Sequence, residues 1–194
     1  TGDGFVFAPL SRDITLHHLL THTSGYAYDF HAEMIAELVA QEKIAGLASD
    51  NDAFLAAPLI FQPGDNWEYG INIDWAGKIV EKVSGVDLNE YVKANILRPL
   101  GMEHTSFSIN DLNTDALVPL SLRDDDGNLS DISELMPNVT DGPYLGGGGL
   151  YSNVGDYMKF MRMMLRNGQG PKEEILPVGM VRDMFVNQIG DMQV

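Results

Sequence analysis

The sequence predicts an α+β fold that is mainly helical with a small β component, and three observations carry that prediction. Apolar residues recur at i, i+3 and i+4 in several stretches bounded by capping and stop residues. One pair of strand-like segments flanks an Asp-Gly turn. The composition, 44% hydrophobic and 21% charged over 194 residues, is that of a globular chain. No internal repeat or low-complexity linker interrupts it, so residues 1–194 are expected as a single domain.

The first helix is expected within 14–25, with Thr15 as N-cap, Leu16, Leu19 and Leu20 as its apolar stripe and Gly25 as terminator. Residues 31–47 read as a longer helix with Met34, Ile35, Leu38, Val39 and Ile44 on one face. Another turn or two fits between Asp50 and Ala57. The clearest helix covers 72–83, with Trp75, Ile79, Val80 and Val83 on one face and Gly85 at its end. The next starts at Asp87, has Glu90 in capping-box spacing, and carries Leu88, Tyr91, Val92 and Ile96 as its stripe; Pro99 closes it. Segments 116–122 and 128–132 around Asp124 to Gly127 predict a β-hairpin, and 137–145 a loop. A helix then begins near Ser152 or Asn153, with Asp156 in its first turn. Met158, Phe160, Met161, Met164 and Leu165 make its buried side, and Asn167 with Gly168 stops it. A last helix is expected from Pro177 to about Asn187.

Charge and composition exclude several function classes. A net charge of −16, from 28 acidic and 12 basic residues, repels phosphate backbones and anionic headgroups. Neither nucleic-acid nor membrane-surface binding is expected. No apolar run approaches the ~20 residues of a membrane span. Without cysteine there are no disulfides and no thiolate metal sites.

The residue that points to chemistry is Tyr69. It follows the Pro63-Gly64 turn and stands just before the 72–83 helix, with Trp67 as an anchor on one side and Gly70 leaving room for a ligand or a backbone beside the ring. A phenol at such a junction can pass a proton once neighbours lower its pKa from about 10. No serine stands three residues before a lysine anywhere in the chain, so the nucleophile such a tyrosine would serve is not within it. His18 and His22, at i, i+4, have the spacing of a shared metal, but position 19 is leucine and no third ligand is near. They are expected to brace loop backbone, and no metal is expected. Asp124 to Asp126 fail the twelve-residue calcium pattern, because Leu122 and Ser133 fall where carboxylates belong. The Gly146 to Gly149 run lacks the lysine and hydroxyl residue of a phosphate loop. It would let one segment pass tightly against another or against an acyl substrate. Tyr144, Gly147, Gly148 and Tyr151 are therefore candidate pocket residues, the two tyrosines being equally compatible with core packing.

Four strings stand in order: His18-Leu-Leu-Thr-His-Thr-Ser-Gly25; Pro63-Gly64 followed by Trp67-Glu-Tyr69; Pro99-Leu-Gly-Met102 followed by Thr105; and Gly146-Gly-Gly-Gly-Leu-Tyr-Ser152 followed by Asp156. Together they resemble the β-lactamase-related serine hydrolases, a group with class C β-lactamases, D-amino-acid peptidases and esterases. The resemblance implies a β-lactamase/transpeptidase-like fold, of which this chain is mainly the helical lobe. It also implies a Ser-x-x-Lys pair as nucleophile and base, with Tyr69 shuttling the proton. That pair is expected before Ile14 and the family's closing strand motif after Val194, so the chain alone is expected to be inactive. Self-association, or contact with further segments of the same protein, is expected for a lobe with an exposed apolar face.

Ile71 falls where class C lactamases resemble Tyr-x-Asn, and Asn72 is one residue, or about 100° of helix, away from that place. The run from Trp67 to Trp75 is similar to the esterase and acyltransferase branch. An ester substrate is therefore expected ahead of a lactam or a D-peptide, through an acyl-serine intermediate and with no cofactor. The reading from another class is a non-catalytic binding scaffold that kept the lobe and lost the nucleophile.

Overall fold

A computed structural model describes residues 6–49, 52–135 and 139–194. The described residues fall into two compact units. The first comprises the described part of Thr1–Ile79 with Leu145–Gly147 and Asn187–Val194; the second comprises that of Val80–Tyr144 with Gly148–Val186. The expectations at Asp50 and over 136–138 lie outside the described residues.

In the first unit, α1 (Leu16–Leu20) is capped as its sequence predicts. Thr15 Oγ1 accepts the His18 N–H at 3.2 Å, and His18 Nδ1 accepts the Thr15 N–H at 3.2 Å, so His18 completes the box that a glutamate usually fills. The helix stops well before Gly25, because His22 turns the chain at φ 57°. Gly25 serves a different end: a Cβ there would lie 2.4 Å from the Phe61 carbonyl oxygen. Of the leucine stripe only Leu19 is buried.

The second helix, α2 (Glu33–Ala40), is half the expected length. It ends in a Schellman motif with Glu42 at φ 55°, where Lys43 N–H reaches the Leu38 carbonyl and Glu42 N–H reaches that of Val39, both at 2.9 Å. No glycine marks that stop, which is why the periodicity overran it. Ile35 and Leu38 pack with Ala27, and Ile44 joins them from the loop. A short 3₁₀ turn, Asp52–Ala56, sends Phe54 and Leu55 into a core with Tyr28, Ala57 and Ile71.

The clearest helix of the sequence is α3 (Asn72–Ser84), which, and not α2, is the longest among the described residues, and Gly85, at φ 76°, ends it as expected. Its buried face differs from the expected one. Val83 is 82% exposed, whereas Asn72, Asp74 and Gly77 are buried. The helix turns its polar first turn inward because hydrogen-bond partners wait there.

The second unit opens with α4 (Leu88–Val92), N-capped by Asp87, whose Oδ1 accepts the Glu90 N–H at 2.8 Å. Pro99 does not close this helix. A π-turn over Lys93–Leu97 widens the coil and α5 (Arg98–Leu100) continues it to Gly101 at φ 70°. Widening just before the proline accommodates a ring that would clash with the carbonyl one turn back. The predicted hairpin is β1 (Ser121–Arg123) paired antiparallel with β2 (Leu129–Asp131). Its strands are exposed on both faces, and Asp124 accepts the Asn128 N–H at 2.8 Å in the turn.

Asn153 caps α6 (Val154–Leu165) by accepting the Asp156 N–H at 2.8 Å. Here the expected buried face is rotated: Met163 is buried with Phe160 and Met164 partly so, while Met158, Met161 and Leu165 are exposed. Asp156, fully buried, sets that rotation. It accepts from His104 N–H at 2.7 Å, Thr105 Oγ1 at 3.1 Å and Lys159 Nζ at 2.8 Å. The last helix among the described residues is α7 (Val178–Asp183), which starts after Pro177 as expected but stops short of Asn187. No helix among the described residues is long and apolar enough to cross a membrane.

Candidate active site

Tyr69 sits on a segment zipped to residues 22–28 of the first unit. Gly64 N–H donates to the Thr23 carbonyl at 2.7 Å, Glu68 N–H to that of His22 at 2.9 Å, and Tyr28 N–H to that of Tyr69 at 3.4 Å. Gly70 permits this approach, since a Cβ there would lie 2.4 Å from Ala27 Cα and the Tyr26 carbonyl oxygen. The room that glycine leaves is for backbone. Three rings surround the phenol: His22 and Tyr28 at 5.2 Å and His31 at 5.9 Å between centroids. His31 is itself held by Glu68, at 2.8 Å from Nδ1. Tyr69 remains 39% exposed, and no hydrogen bond among the described residues occupies its hydroxyl. Its ring is packed among these three neighbours while part of the residue stays exposed.

On one side the support is a polar chain buried under α3. Ser24 Oγ donates to Asn72 Oδ1 at 2.5 Å, which leaves Asn72 Nδ2 to donate to His22 Nδ1 at 3.0 Å. The amide orientation assigns the His22 proton to Nε2. Burial lowers the His22 pKa, with the charge of Asp74 pulling the other way. Asn72 is fully buried in this role, and Ile71 beside it is buried in the apolar core.

On the other side stands Asp74, only 2% exposed. Its Oδ1 accepts the Gly147 N–H and its Oδ2 the Tyr28 hydroxyl, each at 2.9 Å. Burial pushes the Asp74 pKa up, and the two donors pull it partly back. Burial, followed by the neighbouring Asp74 charge, pushes the Tyr28 phenol strongly up, so it remains a protonated donor.

The glycine run explains itself residue by residue. A Cβ on Gly146 would meet the Ile73 carbonyl at 2.3 Å, and one on Gly147 would lie 2.6 Å from Tyr28 Oη and 2.9 Å from Asp74 Oδ2. Gly148 has open space around it, and Gly149 takes φ 82°.

Of the sequence-predicted site residues, the structure brings Gly147 to the support of Tyr69. Tyr144 lies in the second unit's core, packed on Phe107 and donating to the Thr140 carbonyl at 3.0 Å. Tyr151, also in that unit, forms an antiparallel bridge with Ser106. His18 and His22 are engaged separately, and among the described residues no three His, Asp or Glu side chains gather as a metal site. An open cleft of about 760 Å³ is lined by Trp67 and Glu68 with Ile189 and Met192.

Tyr28, Asn72 and Asp74 were missed in the sequence. Their signal was polar residues in the first turn of an otherwise well-patterned helix, together with a glycine run that had to approach something closely.

A family model described as Beta-lactamase matches residues 7–184. Monacolin J acid methylbutanoyltransferase of Aspergillus terreus is 35% identical over 157 residues, covering 79% of this chain and 38% of that protein. Lovastatin esterase of Penicillium rubens is 31% identical over 200 residues, covering 94% of this chain and 46% of the esterase. Among solved structures, a simvastatin synthase mutant from Aspergillus terreus is similar with a TM-score of 0.79 at 35% identity, over 91% of this chain and 42% of that one. The chain thus spans less than half the length of the curated relatives it matches.

Proposed function

The chain belongs to the β-lactamase family, and from that membership and the open phenol of Tyr69 we propose that it is the tyrosine-bearing part of a serine esterase or acyltransferase. A serine outside this chain attacks an ester carbonyl. Its hydroxyl proton passes to Tyr69 acting as the phenolate, a form favoured by the ammonium of a lysine that is likewise outside, as the oxygen–carbon bond forms. Collapse of the adduct breaks the ester C–O bond, and Tyr69 returns the proton to the departing alkoxide. Water or an acceptor alcohol then takes the acyl group from serine by the same steps in reverse.

One observation carries this reading: a hydroxyl without a hydrogen-bond partner among the described residues, on a ring held between His22, Tyr28 and His31. An unused hydroxyl on an immobilised ring suits a proton carrier better than a packing residue. Preference for an ester over a lactam rests on Ile71 and Asn72. Both are buried, so no amide two residues beyond Tyr69 is available for a lactam side chain. The methylbutanoyltransferase and the esterase among its relatives agree with a small-molecule ester as substrate.

In the intact protein, Tyr69→Phe should lower turnover of a short-chain nitrophenyl ester by at least ~100-fold, the loss expected for a general acid–base group. Near-wild-type turnover would make Tyr69 a packing residue and end the proposal. Faster turnover of a chromogenic cephalosporin than of the ester would overturn the choice of substrate class.

A further inference from the structure

We propose that Asp74 is a positioning residue for Tyr69, acting through Tyr28, with its buried carboxylate tying the Tyr28 hydroxyl to the backbone of Gly147. The inference rests on the proposed role of Tyr69 and extends it to a group that touches no reacting atom.

A carboxylate at 2% exposure is costly to keep in a helix, and an apolar residue would fill the place more cheaply. The charge is tolerable because each oxygen has its own donor. Those donors come from segments 46 and 73 residues distant in sequence, so the carboxylate joins pieces of chain that have no local reason to meet.

Tyr28 relays the constraint in two ways. Its backbone N–H donates to the Tyr69 carbonyl, and its ring stands 5.2 Å from the Tyr69 ring at 60°. Fixing Oη on Asp74 fixes the tilt of the Tyr28 ring, and hence the wall against which the Tyr69 ring rests. Because the Tyr28 phenol stays protonated, it does not compete for the proton that Tyr69 carries. Gly147 closes the arrangement: any side chain there would enter the space between Tyr28 Oη and the carboxylate. Misplacement of a reacting group by about 1 Å can cost ~100-fold in rate, so a strut of this kind affects turnover without touching substrate.

The test uses the intact protein and steady-state hydrolysis of a nitrophenyl ester. Asp74→Asn and Tyr28→Phe should each lower kcat by about 10- to 100-fold with KM within about twofold. In a Tyr69→Phe background neither change should lower kcat further, because the group being positioned is gone. An additional loss of similar size in that background would mean that Asp74 only supports folding, and would overturn the proposal. Unchanged kcat in both single variants would do the same. If Asp74→Asn does not fold, Tyr28→Phe decides alone, since it keeps the carboxylate and its bond to Gly147. The two readings fail separately. A fully active Tyr69→Phe removes the role of Tyr69 itself, whereas an inactive Tyr69→Phe beside fully active Tyr28→Phe and Asp74→Asn removes only the strut.

Discussion

Replacing Gly147 by alanine adds one methyl group where the structure has no place for it. The new Cβ would lie 2.6 Å from Tyr28 Oη and 2.9 and 3.0 Å from the two Asp74 oxygens, nearer than Cβ atoms approach. The glycine segment must retreat, and the first casualty is the Gly147 N–H donation to Asp74, now 2.9 Å. A hydrogen bond to a charged group contributes about 1.5–3 kcal/mol, and a buried acceptor left short of a donor costs a comparable amount. A destabilisation of about 2 kcal/mol follows, equivalent to roughly 4–8 °C in Tm for a chain of this size. The neighbouring Gly148 is the internal control. Nothing lies within 4 Å of a Cβ built there, so Gly148→Ala should stay within ~0.5 kcal/mol of the parent. Urea unfolding followed by circular dichroism measures both. Equal stability of the two variants, or a more damaging Gly148→Ala, would refute the idea that close approach to Asp74 is what requires glycine at 147.

Other expectations follow from the same geometry. Asn72→Ala strands the Ser24 hydroxyl and the His22 ring nitrogen at once, so a loss of about 2–3 kcal/mol is expected in the same unfolding assay; a loss under ~0.5 kcal/mol would show that these groups find other partners. Burial alone would raise the Asp111 pKa, but hydrogen bonds from Lys93, Ser106 and Asn89, with the Lys93 charge, outweigh it and hold the carboxyl at about 2. That lies below the ordinary aspartate value of about 3.9, so its contribution is complete above roughly pH 4 and fades as pH falls towards 2. Asp111→Asn should flatten the stability profile in that window and leave its slope above pH 5 unchanged, as read from urea midpoints across pH. Asn153→Ala removes the N-cap of α6 and should cost about 1 kcal/mol, with Asn153→Asp retaining most of it.

Most element positions were legible from local signals. Thr15, Asp87 and Asn153 cap the helices they were expected to start. Gly85 and the Asn167-Gly168 pair stop theirs, and the hairpin turns where the acidic run predicts it. Of the stops that use non-glycine residues at positive φ, Asn167 was legible, but those at Glu42 and His22 were not: glutamate has no preference for that region, and histidine, though enriched there, carried no glycine beside it to mark the turn. The π-turn that carries the helix past Pro99 was equally hidden.

The faces of α3 and α6 show where periodicity misleads. Both helices bury an aspartate, and in each the carboxylate turns the helix so that apolar residues such as Val83 and Leu165 face outward. A pattern of hydrophobic spacing assumes that burial follows polarity. It fails where a polar atom finds enough donors to make burial tolerable.

By itself the sequence determined the family, the α+β class and the candidate Tyr69, because four spaced strings and short-range caps are properties of neighbouring residues. Tertiary structure alone decided what surrounds that phenol. The donors of Asp74 and the partners of Asn72 lie some 46 to 73 residues away in the chain, and only folding brings them within 3 Å. Local signals encode where the backbone turns, whereas the satisfaction of a buried charge depends on which distant groups the fold delivers to it.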